Sequence, residues 1–270
     1  METIGFIGSG NMAEALINGV LKAGVYKPES VYISDIRPER VEYLREHYGV
    51  VPAPDNRELA SKVDVLMLSV KPYNMKDVLE DIKNHLSTDA MVISIAAGIT
   101  TSLMASILGD IAIVRVMPNM PAWVGEGASA LYANTKAKEN VEKAQRILES
   151  VGKAIVVADE TQIDPVTAVS GSGPAYYFLL MQEMIKAGIE MGLSEADAQT
   201  LVLQTAKGAA LLAERAATQG DTPATLTARV ATPNGTTEAA LNVFHAAGFS
   251  ETVSKALHRA SERSAELSAG

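Results

Sequence analysis

Residues 4–13 read Ile4-Gly5-Phe6-Ile7-Gly8-Ser9-Gly10-Asn11-Met12-Ala13. Ile4, Phe6 and Ile7 predict a short buried strand, Gly8-Ser9-Gly10 breaks it, and Asn11 starts a helical pattern that runs to about Gly24. Gly8-x-Gly10-x-x-Ala13 is the glycine pattern of a strand–turn–helix unit that holds a dinucleotide. The first glycine permits the tight turn and the second leaves room for a pyrophosphate against the backbone. The third position needs only a residue small enough for helix and strand to pack. A helix N-terminus adds unpaired N–H groups and partial positive charge, which favour the same anion. A structural glycine turn gives the same letters; its place between a strand and an amphipathic helix favours the dinucleotide.

Working outward, Ser30 to Asp35 reads as a second strand and Pro38 to about Tyr48 as a helix with proline in its first turn. Asp35 ends that strand, where an acidic side chain can accept hydrogen bonds from an adenosine ribose. It stands 27 residues after Gly8, against a usual interval of about 20, and the long Gly24–Ser30 connection accounts for the excess. Arg37 and Arg40 follow and can instead hold a 2′-phosphate, with Ser34 assisting; a solvated helix start is the competing reading. The expected cofactor is NADPH, with NADH as the alternative.

Asp64 to Ser69 is a continuous apolar run, as in a strand buried on both faces, and it ends in Val70-Lys71-Pro72. A helical stretch from Met75 to His85, a strand from Met91 to Ile95 ending in Ala96-Ala97-Gly98, and a helix from Thr101 to Leu108 come next. Ile111 to Met117 is a further strand, ending at Pro118-Asn119-Met120-Pro121, and Ala128–Ala133 and Lys153–Val157 flank a helix at about 138–150. Strands alternating with helices imply an α/β fold with a parallel, doubly wound, Rossmann-like sheet. Its ligands sit at the carboxyl ends of the strands, so the five strand ends from Gly8 to Pro121 are expected to converge on one crevice.

Beyond Glu160 no strand pattern is convincing. Ile163 to Met191 is long and apolar; Ser194 caps a helix to about Gln219 with Glu195 and Asp197 in its first turn; Thr222–Val230, Thr236–Ala247 and Ser250 onward give three more. The expected organisation is a dinucleotide-binding domain at 1–162 and an all-helical domain at 163–270. Leu201, Val202, Leu203, Ala206, Ala209, Ala210, Leu211 and Leu212 cover much of one helix. A helix that apolar is normally buried, here in a subunit interface, with a self-contained bundle as the alternative.

Composition narrows the function. A net charge of −9 argues against nucleic acid and against anionic membrane surfaces. The absence of cysteine removes disulfides, thiolate metal sites and a cysteine nucleophile. The four histidines, at 47, 85, 245 and 258, have no ligand spacing, so no metal site is expected. No signal peptide is visible. The uncharged run from Ala90 to Gly109 holds five Ser/Thr and Gly98, which suits a strand followed by a helix better than a membrane span. A cytoplasmic protein is expected.

The segments FIGSGNMAEAL (6–16), SVKP (69–72), AAGIT (96–100), RVMPNMP with VGEGASAL (115–131), AVSGSGPAYYF (168–178) and VATPNGTTEAAL (230–241) together resemble the pyrroline-5-carboxylate reductase family, in the family's order and across nearly the whole chain. The resemblance implies reduction of 1-pyrroline-5-carboxylate to L-proline by NAD(P)H, the last step of proline biosynthesis. It also implies a helical domain that forms an intertwined homodimer, with a decamer as the larger assembly. By the same resemblance Ile7, Gly8, Ser9, Gly10, Asn11 and Met12 form the pyrophosphate loop, and Asn56 contacts the adenosine side. Ser69, Val70, Lys71 and Pro72, with Ala96, Ala97 and Gly98, line the cofactor, and Thr232, Gly235, Thr236 and Thr237 hold the substrate. The chain departs from the family where Ser-Pro-Gly-Gly-Thr-Thr is usual: it has Thr232-Pro233-Asn234-Gly235-Thr236-Thr237. Threonine keeps the hydroxyl. Asparagine tolerates a positive φ best after glycine, so the loop shape is expected to survive, with substrate affinity open to change.

The implied substrate is a cyclic imine bearing a carboxylate. Gly235-Thr236-Thr237 opens a helix whose N–H groups can bind that carboxylate. Thr237 is the candidate to hydrogen-bond the ring nitrogen, a role compatible with helix capping. No histidine lies near this loop, and Glu238 is the acidic residue beside it. Lys71 is a candidate acid, although a residue between a buried strand and Pro72 more often shapes the cofactor pocket. Trp123 is expected to pack near the cleft. Two rivals remain. A β-hydroxyacid dehydrogenase would carry a catalytic lysine where Tyr177 follows Gly171 and Gly173, and a non-catalytic NAD(P)-sensing regulator would not need the 230–241 loop.

Overall fold

The computed structural model describes residues 2–269. Eight strands make one sheet: β1 (Ile4–Ile7), β2 (Val31–Ser34), β3 (Val51–Pro52), β4 (Val65–Leu68), β5 (Met91–Ser94), β6 (Ala112–Met117), β7 (Gly127–Ala133) and β8 (Gly152–Val156). Their order is β3-β2-β1-β4-β5-β6-β7-β8. β1 to β6 run parallel, with Ile7 level with both Ser34 and Leu68, and Leu68 level with Ser94. The segments that leave these strands therefore emerge side by side on one edge.

Helices α1 (Asn11–Lys22), α2 (Pro38–Tyr48), α3 (Asn56–Lys62), α4 (Met75–Ile82), α5 (Thr101–Leu108) and α6 (Val141–Glu149) cover the two faces. Ile4, Phe6, Ile33, Val65 and Met67 join Leu16 and Ile17 of α1, Leu44 of α2 and Ile147 and Leu148 of α6 in one buried cluster. Ile7, Leu66, Leu68 and Val92 join Leu59 of α3, Leu79 of α4 and Met104 of α5 in the other. Alternate residues of each strand thus enter opposite cores, which is why the strands read as unbroken apolar runs.

Two features differ from the sequence expectation. β7 pairs antiparallel with β6, so β7 and β8 run against the other six strands. Residues 118–126 between β6 and β7 are too few for a parallel crossover, which takes about a dozen. The short edge strand β3 and helix α3 were not expected. The carboxylate of Asp55 accepts the N–H of Glu58 at 2.8 Å and starts α3.

α7 (Ile163–Val166) runs through a π turn at Thr167–Gly171 into α8 (Gly173–Glu190), followed by α9 (Glu195–Ala217), α10 (Pro223–Val230), α11 (Thr236–Ala246) and α12 (Phe249–Ala269). The chain divides into two compact units: residues up to Pro174 together with the chain from His258 onward, and Ala175–Leu257. By contacts the sheet-bearing unit thus extends past the expected 162/163 boundary to Pro174. Ile163 is fully buried with Met117 of β6 and Ala130 of β7, so α7 belongs with the sheet. The second unit is wholly helical. The Ser194 hydroxyl caps α9 by accepting the N–H of Asp197 at 3.1 Å. Within this unit Tyr177, Leu179, Leu201, Leu211, Leu212 and Val243 are exposed. Among the described residues no helix is long and apolar enough to cross a membrane, and no cluster of His, Asp and Glu is set to hold a metal.

Candidate active site

The turn after β1 is built around Gly8. Its φ is +88°, and a Cβ there would lie 2.8 Å from the carbonyl oxygen of Ser69. Its N–H donates to the Ser34 carbonyl at 2.9 Å. The Ser9 N–H donates to Asp35 Oδ2 at 2.7 Å, and the Ser9 side chain is buried. Gly10 then caps α1 in an extended conformation, with no side chain bonded to the helix end. Nothing lies within 4 Å of where its Cβ would stand. That open space belongs to a cleft of about 490 Å³ at the strand ends.

Ile7, Gly8, Gly10, Asn56 and Asp35 line this cleft, together with Arg37 and the Ser69-Val70-Lys71 segment. The Ser69 hydroxyl is buried and has no hydrogen-bond partner among the described residues. A buried hydroxyl left so is costly, and at the wall of an open cleft it fits a ligand as partner. With the uncapped start of α1 and the space at Gly10, it gives the cleft what a dinucleotide needs: N–H donors for a pyrophosphate and no side chain in its way.

Asp35 accepts the Arg37 N–H and Nε at 3.0 Å each. Burial works against its charge, but the Arg37 guanidinium and the Ser9 and Arg37 amides outweigh that and hold the carboxyl below its ordinary range. Arg37 is half exposed at the cleft. Arg40 is turned away: its Nε donates to the Ser9 carbonyl at 2.5 Å and its Nη2 pairs with Glu14.

The side chains of the other residues expected at the cofactor are not in this lining. Ser34 is buried beneath the cleft, its hydroxyl donating to Asn56 Oδ1 at 2.8 Å. Asn11 lines a separate recess on α1 with Glu14, Asn18, Tyr48 and the half-exposed Trp123. Met12 packs on the core, and Pro72 begins a single 3₁₀ turn at 72–74 outside the cleft lining. Ala96, Ala97 and Gly98 follow β5, one strand beyond β4, and do not line the cleft. Conversely, Ile36, Tyr73, Asn74, Asp77 and Val78 line it without having been singled out. The helix-face spacing of 74, 77 and 78 just after Val70-Lys71-Pro72 is the signal that could have found them.

The expected substrate loop lies in the helical unit, between α10 and α11. Asn234 has φ +59°, the one positive φ outside glycine among the described residues. A Cβ on Gly235 would lie 2.5 Å from the Thr232 hydroxyl, and the Gly235 N–H donates to the Thr232 carbonyl at 2.9 Å. The chain folds tightly back here and enters α11 at Thr236 with no side-chain cap. Thr237 is half-buried and Thr236 exposed. The Glu238 carboxylate accepts the Asn234 N–H at 2.8 Å, so it braces the loop.

A mostly parallel sheet with this turn beneath an open cleft, followed by a helical segment, defines the class: NAD(P)H-dependent oxidoreductases. Residues 3–98 match the family described as "NADP oxidoreductase coenzyme F420-dependent", and residues 160–267 match "Pyrroline-5-carboxylate reductase dimerisation". The pyrroline-5-carboxylate reductase of Pseudomonas aeruginosa is 46% identical over 266 residues, spanning 98% of this chain and 96% of the relative. A solved pyrroline-5-carboxylate reductase from Coxiella burnetii superposes with a TM-score of 0.93 at 39% identity, covering 99% of this chain and 98% of that one. The Plasmodium falciparum enzyme, solved with NADP bound, gives 0.87 at 29% identity over 99% and 98%. The chain belongs to the pyrroline-5-carboxylate reductase family.

Proposed function

We propose that this chain reduces 1-pyrroline-5-carboxylate to L-proline, with NADPH as its preferred reductant, as a cytoplasmic homodimer joined through its helical unit. The observation that carries the reading is the coexistence of the glycine turn, open at Gly10, with the uncapped α11 loop at 232–237 in a chain 46% identical to a relative so named.

Gly8, Gly10 and the N–H groups at the start of α1 hold the pyrophosphate, Ser69 to Lys71 and Asn56 line the remainder, and Lys71 shapes the pocket. Neutralisation of Asp35 by Arg37 removes the repulsion an acid would offer a 2′-phosphate and supports NADPH. When bound, the nicotinamide supplies the hydride that reduces the carbon of the C=N bond. Thr232, Gly235, Thr236 and Thr237 hold the substrate. The first N–H groups of α11 take its carboxylate, and the Thr237 hydroxyl orients the ring nitrogen, which fixes the face of the imine offered for reduction. A substrate that enters as the iminium already carries its proton, so Glu238 is not needed as an acid and remains the brace of the loop. The exposed apolar side chains of the helical unit and its match to a dimerisation family support the homodimer, with a decamer as the larger assembly.

Thr237→Ala tests the substrate role. It should lower kcat/KM for the imine by about tenfold, the worth of one oriented hydrogen bond at ~1.4 kcal/mol, with the NADPH Kd unchanged. Loss of cofactor binding instead would contradict the assignment.

A further inference from the structure

Several contacts converge on the loop after β5, all within the sheet-bearing unit. The backbone carbonyl of Leu267, in the last turn of α12, lies 2.8 Å from where a Cβ on Gly98 would stand, and Gly98 itself has φ +74°. The next residue, Ser268, accepts from Nη2 of Arg115 at 3.1 Å. Arg115 is buried on β6, level with Ser94 of β5, and its Nη1 donates to Glu160 at 3.2 Å. Glu160 in turn accepts the N–H and the hydroxyl of Thr101 at 2.8 and 2.6 Å. One turn earlier in α12, the buried Ser264 donates its hydroxyl to Asp164 of α7 at 2.7 Å. The 96–101 loop is thus gripped at Gly98 by α12 and at Thr101 by Glu160, and one buried guanidinium joins the two grips. A buried charge is expensive unless it is paired and hydrogen-bonded, and here its partners all bear on this loop.

We propose that Leu267 and Ser268, with Arg115 and Glu160 beneath them, are positioning residues that fix the 96–101 loop against the nicotinamide end of the cofactor. The proposal rests on the reading of Ala96–Gly98 as part of the cofactor site beyond the cleft lining. With the adenosine side at Asp35 after β2 and the pyrophosphate at the turn after β1, the other end of a dinucleotide runs along the same edge toward β4 and β5, where this loop emerges. On this proposal, residues outside the cleft lining set where the reacting end of the cofactor lies, not whether its phosphates are held.

The test compares Ser268→Ala, the conservative Ser268→Thr, and a chain ending at Glu266, each measured for kcat, for the NADPH Kd and for the Kd of 2′,5′-ADP, which lacks the nicotinamide. Ser268→Ala and the shortened chain should lose at least about tenfold in kcat, since small misplacements of reacting groups have effects of that size or more. They should also weaken NADPH while leaving 2′,5′-ADP within twofold, and Ser268→Thr should restore kcat. Unchanged kcat and NADPH affinity, with or without a lower Tm, would overturn the proposal, as would equal weakening of both ligands. Ala97→Trp, a change at an exposed position of the loop itself, separates the underlying reading. If it leaves kcat and the NADPH Kd unchanged, Ala96–Gly98 lie outside the cofactor site; if it weakens NADPH but not 2′,5′-ADP while Ser268→Ala changes nothing, the positioning role alone fails.

Discussion

A methyl group added at Gly8 would lie 2.8 Å from the Ser69 carbonyl on a backbone at φ +88°, whereas at Gly10 it would meet nothing within 4 Å. The two glycines of one motif are therefore required for different reasons, and two substitutions separate them. Gly8→Ala should cost about 1–3 kcal/mol of stability through backbone strain, seen as a lower Tm. Gly10→Val should leave Tm nearly unchanged but weaken NADPH at least about tenfold, roughly 1.4 kcal/mol, in a fluorescence titration. Asp35 gives a pH signature. Its carboxyl is held below its ordinary value of 3.8 by Arg37 and the Ser9 and Arg37 amides, against the opposing effect of burial. A depressed carboxyl contributes stability above its unfolded-state value and loses it as pH falls through the folded one. The Tm gap between the native chain and Asp35→Asn should therefore be present at pH 7 and close as the pH falls below 3.8; a gap constant with pH would contradict this. The position of Asp35 at a strand end was legible in the sequence. Its bond to Ser9 was not, because it joins residues 26 positions apart.

At the scale of elements, β1, β2, β4, β5 and β6 were legible because strands buried on both faces read as unbroken apolar runs. β3 was not, being two residues of edge strand that include Pro52, too short to show a period. The direction of β7 was missed because a strand looks the same whichever way it runs; only the length of the β6–β7 connection carries that information. The substrate loop was read through its departure from the family pattern, and Asn234 does adopt the positive φ that asparagine tolerates. Asn234→Gly should accordingly leave both Tm and the substrate KM nearly unchanged. Asn234→Val, β-branched at positive φ, should cost roughly 1–2 kcal/mol and raise KM. Equal behaviour of the two variants by thermal melting and steady-state kinetics would show that the loop shape does not matter.

For the molecule as a whole, alternating strands and helices followed by helices alone revealed two parts, while the contacts that tie the later helices to the sheet were not legible. α7 belongs with the sheet because Ile163 is buried against β6 and β7, and α12 returns to the same unit through Arg115 and Asp164. Contacts between residues 100 and 153 positions apart leave no periodic trace in a sequence. The apolar surface of α9 was legible as a face needing a partner, and those leucines are exposed in the single chain. The central claim is the reaction itself, and oxidation of the reduced cofactor, followed by its absorbance, tests it most directly. The account predicts that the purified protein oxidises cofactor when 1-pyrroline-5-carboxylate is added, faster with NADPH than with NADH. A rate no greater than that with 3-hydroxyisobutyrate semialdehyde, or with no substrate at all, would contradict it.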